Sequence, residues 1–147
     1  MKIDTTDKQI IALLQDDGRM PFSALGPKVG LSPAAARQRV LQLIDQGVMQ
    51  IVAVTDPTTL GFHVQAMVGI TVDGSVEAVT AEITGMPEVD YTVIVAGRFD
   101  MLVEVVAENA EHLISIMERI RAIPGVDGAE IFTYLRLAKQ TYDWGTR

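Results

Sequence analysis

The sequence predicts an α+β protein in two parts. A helix-turn-helix domain occupies residues 1–50, a β-α-β-β-α-β domain residues 63–147, and a strand linker over 51–62 joins them. Three observations predict this. Three short amphipathic patterns, each with cap and stop residues, fill the first 47 positions. A proline-centred segment recurs 37 residues further along the second half. A β-branched run lies between the two parts and ends at Asp56-Pro57.

The first pattern covers residues 6–17. Thr6 and Gln9 match a capping box, Ile10, Ile11, Leu13 and Leu14 form an apolar stripe, and Gly18 offers a left-handed stop. In the second, Ser23 is the expected cap and Leu25 and Val29 the inward face. Pro27 suits only a first turn, and Gly30 ends the pattern. Ser32-Pro33 opens the third, with serine as N-cap and proline at the first helical position, and Gly47 closes it. The tight Gly30-Leu31 connection between the last two spells helix-turn-helix.

The linker stretch VMQIVAVTDPTTLGF, residues 48–62, reads as a strand able to pair with another chain until Pro57 ends the pairing. Beyond it, ITGMPEVDYTVIV from Ile83 aligns with IRAIPGVDGAEIF from Ile120. Pro87 matches Pro124, Val89 Val126, Asp90 Asp127 and Ile94 Ile131. Each copy reads strand, helix, proline turn, strand. The first runs from about His63 to Val72, turns at Asp73-Gly74, and continues from the Ser75 cap into a helix to Thr84. The second has a strand over Met101–Ala107 and a helix from the Asn109 cap to Ala122. A hairpin through Gly97–Asp100 joins them into a ferredoxin-like split arrangement with helices on one face of a four-stranded sheet. The other face, drawn from QAMVGITV, TVIVAG and MLVEVVA, is too apolar for water and predicts sheet-to-sheet self-association.

Charge is unevenly spread. Between Asp17 and Asp45 lie Arg19, Lys28, Arg37 and Arg39 and no acid, so this window carries +4 and the remaining residues -11 of a net -7. An acidic chain would by itself argue against a polyanion partner, but the basic charge is gathered on the third helix and its approach. At 100° per residue, Ala36, Val40 and Leu43 make the inward stripe. Ala34, Gln38, Leu41 and Gln42 face outward, flanked by Ala35 and Arg37. Small residues near the helix start let it approach the major-groove floor, where Gln pairs with adenine and Arg forks onto guanine. Ser32 and the helix N-terminus suit a phosphate. The same pattern also fits a solvated amphipathic helix. Arg39, nearer the inward stripe, either joins the DNA contacts or pairs with an acid such as Asp7.

Other functions find little support. No stretch approaches the roughly 18 apolar residues of a membrane span. There are no cysteines for a disulfide or thiolate metal site, and MKIDTTDKQ lacks the apolar core of a signal peptide, so a cytoplasmic location with no membrane partner is expected. His63 and His112 belong to different elements and read as surface or capping residues. Glycine-rich phosphate loops, zinc spacings and nucleophile elbows are absent, which predicts no enzyme, no cofactor and no metal. Tyr142 and Trp144 read as docking aromatics.

DKQIIALLQDDGRM, LSPAAARQRVLQLIDQGVM, VTDPTTLGF, VAGRFDMLVEV and IRAIPGVDGAEIFTYL, in this order and over nearly the whole chain, resemble the leucine-responsive and asparagine regulator (Lrp/AsnC) family of prokaryotic transcription factors. The resemblance implies a winged or plain helix-turn-helix reader of double-stranded DNA, and an αβ sandwich that senses amino acids and assembles dimers into octamers or similar rings. It places a small-molecule effector between dimers near the hairpin Gly97-Arg98-Phe99-Asp100, with Thr133 and Tyr134 in the same region. There Gly97 can leave backbone N–H groups open to a carboxylate, Arg98 adds charge and Asp100 can receive an ammonium; the same residues also serve as plain hairpin chemistry. Two departures stand out. Leu41 and Ile44 replace the charged residues common in the family, so that Leu41 packs on a thymine methyl or on a neighbouring subunit. Gly26-Pro27 replaces a better helix-forming pair and predicts a weaker second helix.

Two functions follow: a sequence-specific DNA-binding regulator whose operator affinity an amino acid tunes, or an amino-acid-sensing or assembly module with weak or lost DNA reading.

Overall fold

The computed structural model describes residues 3–141. Its elements run α1 (Thr5–Asp16), α2 (Phe22–Lys28), α3 (Pro33–Asp45), β1 (Val64–Val72), α4 (Val76–Thr84), β2 (Val89–Ile94), β3 (Met101–Ala107), α5 (Ala110–Ala122) and β4 (Val126–Thr133). They fall into two compact units, one reaching Val54 and including residues 139–141, the other Thr55–Ala138. Each has its own apolar core. Among the described residues, no helix is long and apolar enough to cross a membrane.

In the first unit, Ile10, Leu14, Leu25, Ala36, Val40 and Leu43 form the core. The expected inward stripe of α3 is the buried one, with the Ser32 hydroxyl accepting from Ala35 N at 3.2 Å, proline in the first turn, and Gly47 at φ 69° after the end. The caps of α1 differ from expectation. Asp4, not Thr6, is the N-cap: its Oδ1 accepts from Asp7 N at 2.8 Å while Asp7 Oδ2 accepts from Asp4 N at 3.0 Å. This reciprocal pair satisfies two otherwise orphan N–H groups, which Thr6 one residue inside the helix does not do. Nor does Gly18 supply a left-handed stop, because the chain leaves α1 through an extended Asp17 whose N–H reaches Leu13 O.

Helix α2 also departs from expectation. It starts at Phe22 behind Pro21, with no side-chain cap, so Ser23 lies inside the helix. Pro27 sits in its last turn and not its first, at an exposed position of a seven-residue helix, where the amide it lacks would have bonded only back to exposed Ser23. Gly26 has a positive role that helix propensity alone does not reveal. A Cβ there would stand 2.7 Å from Leu31 O and 3.0 Å from Ser32 C. Gly26 O also accepts from Leu31 N at 2.9 Å, so the glycine lets the turn into α3 close tightly over α2.

The strand expected over the linker does not form within the chain. Residues 48–56 enter no ladder, and Ile51, Val52 and Val54 stand 50–67% exposed. A strand exists only through pairing, and an apolar β-branched run without a partner stays single. Pro57–Gly61 makes a turn instead, with Asp56 accepting from Thr58 N and from Thr59 Oγ1.

In the second unit the predicted β-α-β-β-α-β order holds, and the sheet runs β2-β3-β1-β4 with every neighbouring pair antiparallel. The Ser75 and Asn109 caps accept from Ala78 N and His112 N. Ala66, Val68 and Ile70 of β1 with Met101, Val103 and Val105 of β3 form one face of the sheet, packed with Val79, Ile83, Ile116 and Ile120 of the helices. Register puts Met67, Leu102, Phe132, Tyr91 and Glu104 on the opposite face. Tyr91 is 54% and Phe132 43% exposed there, so this face is only partly covered by its own chain.

Candidate nucleic-acid interface and hairpin site

Helix α3 presents Ser32, Ala34, Arg37, Gln38, Leu41 and Gln42 as an exposed outer surface, with Ala35 half-buried beside it. Among the described residues, neither the Arg37 guanidinium nor the Gln38 amide has an ion pair or side-chain hydrogen bond. Such donors on a helix face are free for an outside acceptor.

Arg39 is different. Its Nη1 donates to Asp4 Oδ2 at 2.6 Å and to Asp7 Oδ1 at 2.8 Å. The carboxylates that cap α1 thus also hold α3. The Asp7 amide and the Arg39 guanidinium keep the Asp4 carboxyl below the usual aspartate range, and the two acids raise Arg39 above its ordinary value. Of the two fates the sequence left open for Arg39, the ion pair with Asp7 is formed, and Asp4, which sequence reasoning missed, completes it. The signal was there in the Asp4-x-x-Asp7 spacing, one turn of helix.

The second candidate site lies on the open face of the sheet, at the end of β1 near Ile70. Gly69 is the seat: Phe99 packs so close that a Cβ on Gly69 would fall 2.6 Å from its ring. Phe132 meets Phe99 edge-on at 6.0 Å between centroids, and the Arg98 guanidinium lies 4.7 Å above the Phe99 ring. Arg98 Nη2 also pairs with Glu130 Oε2, the two side chains being 71% and 46% exposed. Asp100 is committed to the backbone: its Oδ2 accepts from Val72 N at 2.8 Å and its N–H donates to Ile70 O at 2.9 Å. This is the hairpin role of the aspartate. Gly97, at φ 157°, has open space where a Cβ would stand.

Thr133 and Tyr134 do not join this cluster. Thr133 pairs with Ala66 and so belongs to the helix-covered side, while Tyr134 N donates to Gln65 O. Five residues of strand, about 17 Å, separate Gln65 from Ile70. Tyr134 Oη instead donates to Glu104 Oε2 at 3.1 Å, and burial together with that carboxylate pushes the phenol up to about 12. The register that separates the two groups is a tertiary property with no counterpart in linear spacing. Glu130, Phe132, Glu104 and Gly69 were missed for the same reason.

The histidines follow their sequence reading. His63 is exposed. His112 Nδ1 accepts from Glu108 N at the start of α5, and its Nε2 faces Glu88 Oε1 at 3.4 Å. Arg119 donates to the same Glu88 oxygen at 2.6 Å. Burial raises Glu88, but these donors win and hold it below the usual glutamate range. Among the described residues no group of three or more His, Cys, Asp or Glu is placed to hold a metal ion. Tyr142 and Trp144 lie outside the described residues.

Known proteins match both units. Residues 3–44 match the AsnC-type helix-turn-helix domain and residues 65–144 the Lrp/AsnC ligand binding domain. The HTH-type transcriptional regulator FL11 of Pyrococcus horikoshii is 30% identical over 95% of this chain and 93% of its own. Among solved structures, the leucine response regulatory protein LrpA of Mycobacterium tuberculosis superposes with a TM-score of 0.86 at 28% identity, covering 93% of this chain and 95% of its own. A Neisseria meningitidis transcriptional regulator in complex with L-methionine superposes with a TM-score of 0.84 at 25% identity, covering 96% and 95%. Both units thus have counterparts along nearly the whole chain, and the chain belongs to the Lrp/AsnC family of helix-turn-helix transcriptional regulators.

Proposed function

We propose that the protein reads duplex operators through Arg37, Gln38, Ala34 and Ala35, with Ser32 and the start of α3 on a phosphate, and that an amino acid tunes this binding. The observation that carries the DNA reading is the contrast on one helix: Arg37 and Gln38 point outward without partners, whereas Arg39 is held by Asp4 and Asp7. Arg39 therefore orients the reading helix and does not touch DNA.

For the effector, the exposed Arg98–Glu130 pair beside Phe99 offers both charges a zwitterion needs, Arg98 for its carboxylate and Glu130 for its ammonium, with Phe99 and Phe132 beside an apolar side chain. The L-methionine bound by the Neisseria regulator supports an amino acid as the class. Thr133 and Tyr134 contribute only through a second copy of the chain, since within one copy they lie too far along the sheet. The partly covered sheet face supports self-association, first to a dimer that sets two reading helices on a two-fold axis, then to the octamer or similar ring the family resemblance implies. Effector binding near the hairpin alters the assembly and hence operator affinity by linkage.

A mobility-shift assay at two salt concentrations, with and without a pool of amino acids, tests this. The wild type gives a sequence-selective, salt-sensitive shift that the pool alters. The double variant Arg37→Ala, Gln38→Ala loses operator preference while its assembly mass is unchanged, each lost pair removing about 1–3 kcal/mol of discrimination. Full specificity in the double variant would overturn the residue assignment. Absence of any selective shift would leave the sensing or assembly module.

A further inference from the structure

We infer that Leu41 is a specificity residue that reads the C5-methyl group of a thymine next to the bases met by Arg37 and Gln38. This rests on the DNA-reading role of α3 and deepens it.

Leu41 is 39% exposed on the outer face of α3, although the core of its own unit lies one helix width away and takes Val40, Leu43 and, in part, Ile44. At 100° per residue it falls in line with Ala34, Arg37 and Gln38. Its neighbours one turn away are Arg37, Gln38 and Asp45, all exposed, and Ile44, which is half-buried against the core. Leu41 is thus the one exposed large apolar side chain of α3. A subunit interface needs a contiguous surface of some 800 Å² per partner with an apolar centre, which this stripe does not offer. A methyl group projecting into a groove of hydrogen-bonding edges is the complementary target, and thymine is the base that carries one.

Length agrees. From Ala34 to Leu41 the helix rises about 10 Å, within a major groove about 12 Å wide. Asp45 lies a turn further out, with a charge that phosphates repel, so Leu41 is the last side chain of the stripe suited to the groove. Leu41 follows Gln38 by about 4.5 Å and Arg37 by about 6 Å along the axis, which places its thymine one or two base pairs from theirs.

Replacing thymine with deoxyuridine removes only the methyl. Purified protein first selects duplexes from a random pool, and every thymine of the enriched site is then replaced singly by deoxyuridine. The wild type should lose about fourfold in affinity at one thymine per half-site, the value of one buried methyl. Leu41→Ala and Leu41→Gln should bind the thymine and deoxyuridine sites equally, and the partial exposure of Leu41 leaves both variants folded. An enriched site at which no deoxyuridine weakens the wild type, or at which the variants keep the same penalty, overturns the assignment of Leu41 and leaves DNA reading intact. A change of assembly mass in the variants without a deoxyuridine effect overturns it in favour of a subunit contact. Failure to enrich any sequence overturns the reading role of α3 and the Leu41 assignment together.

Discussion

The reading helix and the hairpin site are built on opposite plans. On α3 every candidate contact comes from one stretch of ten residues, Ser32 to Leu41, and the helical period alone sorts inward from outward positions. The hairpin cluster draws Gly69 from β1, Arg98 and Phe99 from the β2–β3 connection, and Glu130 and Phe132 from β4, residues spread over more than 60 positions. A surface made by one element inherits its geometry from local backbone rules. One made by two strands and a hairpin connection depends on register, and a register shift of one residue moves a side chain to the other face.

The largest expected effect concerns the two cores. Leu43→Ala empties the core under α3, and Ile70→Ala the core under the sheet, where both side chains are fully buried. Each should lower stability by about 2–5 kcal/mol. Leu43→Ala should remove operator binding while the sheet unit keeps its amide-exchange protection, and Ile70→Ala should lower protection of the sheet first. Uniform loss of protection across both units in either variant would mean that they share one cooperative core.

A finer contrast lies between two glycines. At Gly26 a new Cβ meets backbone, Leu31 O at 2.7 Å, whereas at Gly69 it meets the ring of Phe99 at 2.6 Å. Backbone cannot swing aside and a phenyl ring can. Gly26→Ala should therefore cost about 1–3 kcal/mol and weaken operator binding, while Gly69→Ala should cost about 1 kcal/mol and act on the effector response. Thermal unfolding paired with mobility shift separates the two; equal losses in both assays would remove the distinction.

The smallest effect is a titration. With its phenol at about 12 instead of 10.0, Tyr134 keeps its stabilising contribution below pH 10 and loses it as pH rises from there to 12. Phenolate absorbance should show one tyrosine ionising near pH 12, and Glu104→Gln should bring it part of the way back, leaving the share due to burial. A titration unchanged in the Glu104→Gln variant would disprove the Tyr134–Glu104 contact.

The same contrast explains what was readable beforehand. The buried stripe Ala36, Val40, Leu43, the Ser32, Ser75 and Asn109 caps, and the duplicated Pro87 and Pro124 turns are local signals, and each marks its element. The α1 cap slipped from Asp4 to Thr6 because Asp at the third helical position is a less familiar capping partner than Glu or Gln. The role of Gly26 is hidden from the sequence because it concerns a contact with the next element, and the linker forms no strand because Val and Ile favour strands only where an edge awaits them. Thr133 and Tyr134 are adjacent to each other in sequence, but the pleat sends them to opposite faces, away from Asp100.

The clamp of Asp4 and Asp7 on Arg39 sets a rule for retargeting the protein to new operators. The proposed reading positions 34, 37, 38 and 41 can be randomised together, since all four side chains are exposed and none anchors the fold. Position 39, two residues from Arg37, belongs to the chassis. A library that includes it will discard most of its members for misaligned helices before any of them meets DNA.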